Sequence, residues 1–469
     1  MFAPPLLIWA ISFFIGVSWL HCFHFISLLS LGAFLFFFDH KRAILWFALF
    51  GYLIGWVHQP KAEYPTSPVE GTAIFDLKSI QKSQTPFHTS YLLKGVCKVF
   101  TTEDNVYTNL PISLFVNRVP KTGSRWEIEG KLDEKGHFKP HTKKKFRERD
   151  APFSITRWRY SQKQRVKKLI HAKFRDRKVA HFFTSMTTGE KPDWLMTMEF
   201  RKVGLSHILA ISGFHFALIA LLIGSLLKPF LSPKLHSIAL LFFLSVLLIF
   251  LGLSPSILRA YVMICLYLLG KLAHRRVDGL NLLGAALLIE LIFNPSSITH
   301  LGFQLSYLAT FGILTFYPLF QSLLNRAFPK RPLFILRSMP LLDQHGYLFV
   351  RFLIGAISLN FSVQLATLPL LFHCFGDFPL LSIPYNLILP PLLGAALLLF
   401  PFALLLPPLR LLLSWFTSYL LRIIANPPAA WEIHLSISPP SLTFLLLLLT
   451  LIAIWGLKKR GHFRENRTL

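Results

Sequence analysis

The residues of this chain that could do chemistry are polar side chains set inside long apolar runs. Each costs free energy in hydrocarbon unless it faces protein, water or a ligand. The first group is Gly204-Leu205-Ser206-His207-Ile208-Leu209-Ala210-Ile211-Ser212-Gly213-Phe214-His215. A continuous helix, turning roughly 100° per residue, places His207, His215 and Ser212 at about 0°, 80° and 140°. That is one polar face, and Ala210 and Gly213 on the same helix let another backbone approach. Such a face serves either a polar pathway or hydrogen bonds between helices. Next, Ser254 caps a helix whose first turn begins at Pro255, which puts Arg259 about one turn inside. Arg259 either pairs with Glu290, near the far end of the run Asn281–Pro295, or snorkels to the interface. Gln304 and Ser306 point to nearly opposite sides of a helix, so both cannot line one pore. Gln364 and Thr367 follow. Asn386 stands between Pro384 and Pro390, which marks either a broken helix lining a wet cavity or a kink repaired by neighbouring helices. These residues share the outer half of their runs, and the expectation is a polar vestibule opening outward.

Several chemistries lack their motifs. There is no His-x-His-x-Asp-His metal run, no Gly-x-Ser-x-Gly elbow and no Gly-x-x-x-x-Gly-Lys-Ser/Thr phosphate loop. The expectation is therefore a channel or transporter with no catalytic residue, no metal, no cofactor and no ATP site of its own. A membrane-embedded hydrolase using His207, Ser212 or His215 would need a nucleophile, a base and an orienting group, and no such set is visible. The four cysteines, Cys22, Cys97, Cys265 and Cys374, form no Cys-x-x-Cys pair.

The elements that must position these residues are membrane spans. Hydrophobic residues make up 53% of the 469 and charged residues only 15%, which would leave a soluble protein with large exposed apolar patches. Spans of about 17–25 apolar residues fall near 3–20, 24–38 and 42–58, then 204–227, 237–252, 256–274, 279–294, 301–320, 346–372, 379–402, 408–424 and 441–457. With twelve spans, the basic gaps at 39–42, 228–234, 274–276 and 326–337 fall on one side, together with the tail at 458–460. By the positive-inside rule both termini are cytoplasmic. Between the blocks, residues 59–200 hold 27 of the 49 Lys and Arg against 15 of the 22 Asp and Glu, a net of +12. Long domains escape the charge rule, so this one is expected outside.

That outer domain divides. Residues 67–140 read as short strands at Val69–Phe75, Ser90–Val96, Leu110–Val116 and Arg125–Gly130, which suits a small OB-like β-barrel. Residues 141–200 read as a basic segment with interleaved apolar groups. It is either a helix lying along the membrane surface or a solvated linker helix. The chain is thus expected to be a mainly α-helical polytopic membrane protein of about twelve transmembrane helices with a small inserted β-barrel. Its parts are 1–58 (spans), 67–140 (β-domain), 141–200 (basic surface segment), 204–457 (helical block) and 458–469 (basic tail).

Taken in order, Gly204–His215, Ser254–Ala260, Arg276-Val277-Asp278 leading to Asn281, Asn294-Pro295, Gly302–Ala309, Thr367-Leu368-Pro369 through Phe375-Gly376, and Asn386 with Pro390 resemble the ComEC/Rec-type family of bacterial competence proteins. These motifs span about 200–400, and the N-terminal spans plus β-rich insert look like that family's N-terminal part. The resemblance implies an inner-membrane channel that passes single-stranded DNA during natural transformation, in the bacterial cytoplasmic membrane. It implies partners as well: a competence DNA receptor, and a cytoplasmic motor or single-strand-binding proteins, with membrane lipid around the spans. Many members carry a C-terminal metallo-β-lactamase-like domain. This sequence ends at Leu469 without the metal motif, so a nuclease step is expected to fall to a separate protein or to none. On this reading the pathway is lined by His207, Ser212, His215, Arg259, Glu290, Gln304, Gln364 and Asn386. Lys143, Lys144, Lys145, Arg147, Arg157 and Arg159 gather DNA at the surface, because cations attract a phosphate backbone by counterion release. The competing reading is a transporter or flippase for another anionic polymer or lipid, fed by the same basic funnel.

Overall fold

The computed structural model describes residues 5–21, 41–58, 64–428 apart from short segments (85–88, 103–104, 118, 121–123, 142–145, 150–152 and 276), and 433–436, with a few isolated positions. The expected spans at 24–38 and 441–457, the tail 458–469 and Lys143, Lys144 and Lys145 lie outside the described residues.

The chain opens with two helices, α1 (Pro5–His21) and α2 (Lys41–Val57). Gly16 of α1 packs on the backbone of Ala48, and Gly51 of α2 on that of Phe13. Small residues permit that closeness, and dispersion then holds the pair. Neither helix stands apart from the later block. Leu7, Phe13 and Ile44 share one core with Leu283, Leu287 and Phe303, and the Leu6 N–H donates to Asn281 Oδ1 at 3.3 Å.

The β-rich insert forms β1 (Val69–Gln84), β2 (Thr89–Thr101), β3 (Val106–Val116), β4 (Arg125–Leu132), β5 (His137–Pro140) and β6 (Arg147–Glu148). Alternation drives it. In β4, Trp126, Ile128, Gly130 and Leu132 are buried while Arg125, Glu127, Glu129 and Lys131 face outward. The strands run longer than the sequence reading placed them, and β5 and β6 were not anticipated. The sheet order is β1-β2-β3-β5-β4-β6, and β1 also pairs with β4. Pairing therefore follows a circuit from β1 through β2, β3, β5 and β4 back to β1. Inside it lie Phe75, Leu93, Phe100, Leu114, Trp126 and Phe138. Gly95 leaves room for the Phe75 ring, which a Cβ there would meet at 2.7 Å.

The basic segment is three helices: α3 (Ile155–Lys173), α4 (Arg177–Thr188) and α5 (Trp194–Lys202). α3 and α5 keep solvent faces, but α4 does not fit a surface segment, and here the sequence reading is corrected. Val179, Phe182, Phe183 and Met186 recur at helical spacing, so α4 buries one face. It packs with Phe200 and with Leu397, Phe400 and Leu420 of the C-terminal helices. α4 and the Met196–Phe200 face of α5 thus belong to the helical core.

The block continues with α6 (Ser206–Leu209), α7 (Gly213–Leu227), α8 (Pro233–Leu251), α9 (Pro255–Leu272), α10 (Gly279–Phe293), a 3-10 turn (Pro295–Thr299), α11 (Leu301–Ala327), α12 (Leu333–Ser338), α13 (Leu341–Phe375), α14 (Ser382–Leu405) and α15 (Pro407–Ala425). A two-stranded ribbon pairs β7 (Asp377–Pro379) with β8 (His434–Ser436). Among the described residues five helices are long and apolar enough to cross a membrane, namely α8, α9, α11, α13 and α14. Shorter apolar helices lie at Leu6–Ser18, Gly213–Leu227 and Gly279–Phe293. The protein is mainly helical and a membrane protein.

One further expectation changes and one alternative is decided. The run 204–227 is not one helix, because Ala210 and Ser212 have extended backbones and separate α6 from α7. Of the two readings open at Asn386, the broken helix is excluded. α14 is continuous from Ser382 and contains Pro390, Pro391 and Pro401. Pro384 falls in its first turn, where its missing N–H has no intrahelical partner to lose.

Candidate functional site

The break before α7 organises the site. Ser212 caps α7, and its N–H donates to His215 Nδ1 at 3.1 Å, with Ser212 Oγ 3.0 Å from the same nitrogen. His215 is therefore buried and used locally, at 5% exposure. The single polar face drawn through His207, Ser212 and His215 does not exist, because the backbone turns between them. His207 remains exposed on α6. The break is held from above by α4, where Ser185 Oγ donates to the Leu209 carbonyl at 3.2 Å.

Gly213, the first residue of α7, faces Arg259 of α9. A Cβ built there would stand 2.5 Å from Arg259 Nη2 and 3.4 Å from the Ala260 Cβ. Arg259 Nη1 donates to the Ser306 carbonyl on α11. Its guanidinium lies over the Tyr307 ring, 5.9 Å from the centroid, within reach of a cation–π attraction. Its Nε is buried without a hydrogen-bond partner. The side chain as a whole is only half-buried.

Glu290, on α10, does not pair with Arg259 as one reading of the sequence had it. At 3% exposure it accepts instead from the Tyr307 hydroxyl, which lies 2.9 Å from Oε2. The α10–turn–α11 connection is short, so the end of α10 and the start of α11 come level, and Tyr307 falls between the carboxylate and the guanidinium. Sequence reasoning missed Tyr307 and the Gly213 contact. The available signal was that short connection, which sets Glu290 and Tyr307 at one depth.

The remaining expected residues scatter. Gln304 Nε2 donates to the Ile298 carbonyl at 2.8 Å and pins the 3-10 turn to α11. Gln364 stands on α13 with its Oε1 buried and unpartnered. Asn386 is half-buried on α14. Among the described residues no hydrogen bond joins Gln364 or Asn386 to the Arg259 group. Arg259, Glu290, Gln304 and Asn386 nonetheless occupy corresponding ends of α9, α10, α11 and α14.

A second polar cluster lies where α3 meets the β-domain and the helical block. Thr156 Oγ1 donates to the Lys78 carbonyl of β1 at 2.9 Å. Arg159 Nε donates to the Ile249 carbonyl at 2.7 Å and Lys163 Nζ to that of Leu251 at 2.9 Å. Two cations thus satisfy the C-terminal carbonyls of α8, where the helix dipole favours positive charge. Burial, and then the neighbouring Arg159, push the Lys163 amine down to about 8. Glu190 takes Lys167 at 3.0 Å and Gln164 at 2.6 Å. Asp193 takes His181 at 3.2 Å and Lys82 at 3.9 Å. Arg157 stacks over Tyr160, 5.9 Å from its centroid. Of the cations expected to gather DNA, Arg157 and Arg159 are thus engaged within the protein, and Arg147 is exposed on β6. Arg165 and Lys168 stand exposed on the outer face of α3. No group of described residues is arranged to hold a metal ion.

Residues 191–461 match the profile of a family described as "Competence protein". The chain is 27% identical over 293 residues to "ComE operon protein 3" of Bacillus subtilis (strain 168), which is 59% of this chain and 34% of that protein. It is 32% identical over 115 residues to an "Uncharacterized protein" of Aquifex aeolicus (strain VF5), 24% of this chain and 27% of that one. The matches thus span about a third or less of each relative's length. No solved structure matches.

Proposed function

The chain belongs to the competence protein family, and from that premise we propose that it passes single-stranded DNA across the bacterial cytoplasmic membrane during natural transformation. The observation that carries this reading is Arg259. It is a cation in a helix long and apolar enough to cross a membrane, bonded to a carbonyl and a ring face but to no carboxylate. A half-buried charge with no hydrogen-bonded carboxylate is costly, and a passing phosphate would supply that partner.

In this reading His207, Ser212, Gln304, Gln364 and Asn386 line the approach, with Arg259 as the phosphate contact. His215 and Glu290 hold the lining in place. Twelve spans put both termini in the cytoplasm and the β-domain outside. The closed pairing circuit of β1–β5 supports an OB-like barrel, a common platform for single strands. The exposed Arg147 gathers the strand, together with the sequence's basic run Lys143, Lys144 and Lys145. A DNA receptor outside, a motor or single-strand-binding protein inside and a separate nuclease are the partners this function calls for.

The test is removal of the protein followed by transformation with added DNA. Transformation should be lost and should return with the wild-type chain; undiminished transformation overturns the function. Cysteine labelling at Gly136 and Arg331 checks the orientation, with the first accessible from outside and the second not.

A further inference from the structure

We infer that Tyr307 is a positioning residue: it holds Glu290 away from Arg259 and so keeps the guanidinium available to a phosphate. The inference rests on the proposed role of Arg259. Arg259 and Glu290 come from adjacent helices, α9 and α10, at one depth. In a water-poor site an arginine and a carboxylate so placed attract strongly and form a bidentate pair. The pair is not made. The Tyr307 hydroxyl binds Glu290 Oε2 at 2.9 Å, and its ring lies against the guanidinium. Ser306, one residue earlier, offers its carbonyl to Arg259 Nη1. One turn of α11 thus engages both charged groups, each by a neutral partner.

The consequence is chemical. Paired with Glu290, Arg259 would be neutralised and a phosphate would have to displace a carboxylate. Held by a carbonyl and a ring, it keeps its full charge, and its Nε has no partner to give up. Gly213 completes the arrangement, since any larger residue would press on Nη2.

Tyr307→Phe keeps the ring and removes only the hydroxyl, freeing Glu290 to swing onto Arg259. Uptake of labelled single-stranded DNA by cells carrying the full-length variant should fall by about tenfold or more, the scale set by a contest between two anions for one half-buried cation. Adding Glu290→Gln to Tyr307→Phe removes the competing charge and should restore most of that loss. Membrane abundance is measured in every strain. If Tyr307→Phe does not accumulate, Tyr307→Leu, which also lacks the hydroxyl, replaces it in both arms. Wild-type uptake by Tyr307→Phe overturns the inference. So does a double variant that stays as low as the single one, because a merely structural tyrosine is not rescued by a change at Glu290. Arg259→Ala separates the levels. If it takes up DNA normally, the site itself is wrong. If it abolishes uptake while the tyrosine pair behaves otherwise than expected, only the role of Tyr307 is lost.

Discussion

The junction under the β-domain and the site around Arg259 are built from the same residue types and treat charge in opposite ways. At the junction Glu190 faces Lys167, Asp193 faces His181 and Lys82, and Arg159 and Lys163 close the end of α8. At the site a carboxylate and a guanidinium on neighbouring helices are kept apart by a tyrosine. Matched charges fasten elements together. A charge left unmatched inside a protein is a standing cost, and a fold that retains one has a use for it outside its own structure.

The largest effect that would break this contrast is expected at Arg259. Arg259→Ala should cut DNA uptake by about a hundredfold, as when a buried charged contact worth about 2–5 kcal/mol is removed. The protein should still reach the membrane, which a blot of the membrane fraction checks. Normal uptake would make Arg259 one more structural cation. Next comes Gly213→Val. Its Cβ would start 2.5 Å from Nη2, so the guanidinium must move off the break, and uptake should fall by about tenfold. Unchanged uptake would show that the arginine has freedom the packing denies it.

Much of the fold was legible and the site only partly so, for physical reasons. Apolar runs announce spans, and alternation announces strands, because both patterns follow from one residue's relation to its solvent. Ser254 and Pro255 marked the start of α9, where they stand at its cap and first position. The break at Ala210–Ser212 was missed because apolar and small residues continue straight through it. The contact between α4 and Phe400 depends on a partner some two hundred residues away, which no local pattern carries. Glu290 and Arg259 were both singled out, but charge type alone favours their pairing. Only the placement of Tyr307 reverses that, and tyrosine in an apolar run ordinarily reads as packing.

At the junction the expected effects are smaller and fall on stability. Glu190→Gln keeps the shape and removes the charge that holds Lys167 at 3.0 Å. The pair is only partly buried, so the loss should be about 1 kcal/mol. Melting of the purified protein in detergent would show it as a lowered Tm. Uptake per folded molecule should not change. A variant that stayed stable and lost uptake would put Glu190 in the pathway and erase the distinction between the two clusters.

The smallest effect is one of acid. The His171 and His181 rings meet edge to face with centroids 4.9 Å apart. Burial lowers both below the ordinary 6.5. His181, Lys167, Asp193 and Glu190 act on His171; Asp193, Lys82, Lys167 and Arg177 act on His181. The closed junction therefore holds fewer protons than an opened one once the pH drops past 6.5. Stability rises with pH wherever the open state binds more protons. Acidification from 6.5 down through the lowered values should thus favour opening, and no histidine-dependent change is expected above that range. Hydrogen-exchange protection at α3 and α4, taken relative to the intrinsic exchange rate at each pH, should fall modestly as the pH drops from 6.5 to about 5.5, in the range where histidine titrates. His181→Gln should flatten the response, because it removes the proton acceptor and keeps a group able to bond Asp193. Protection that rose with acid would mean that the Asp193 and Glu190 charges outweigh burial. The junction would then be tightened by protonation, as an ion-paired surface is, and would not resist it as a buried one does.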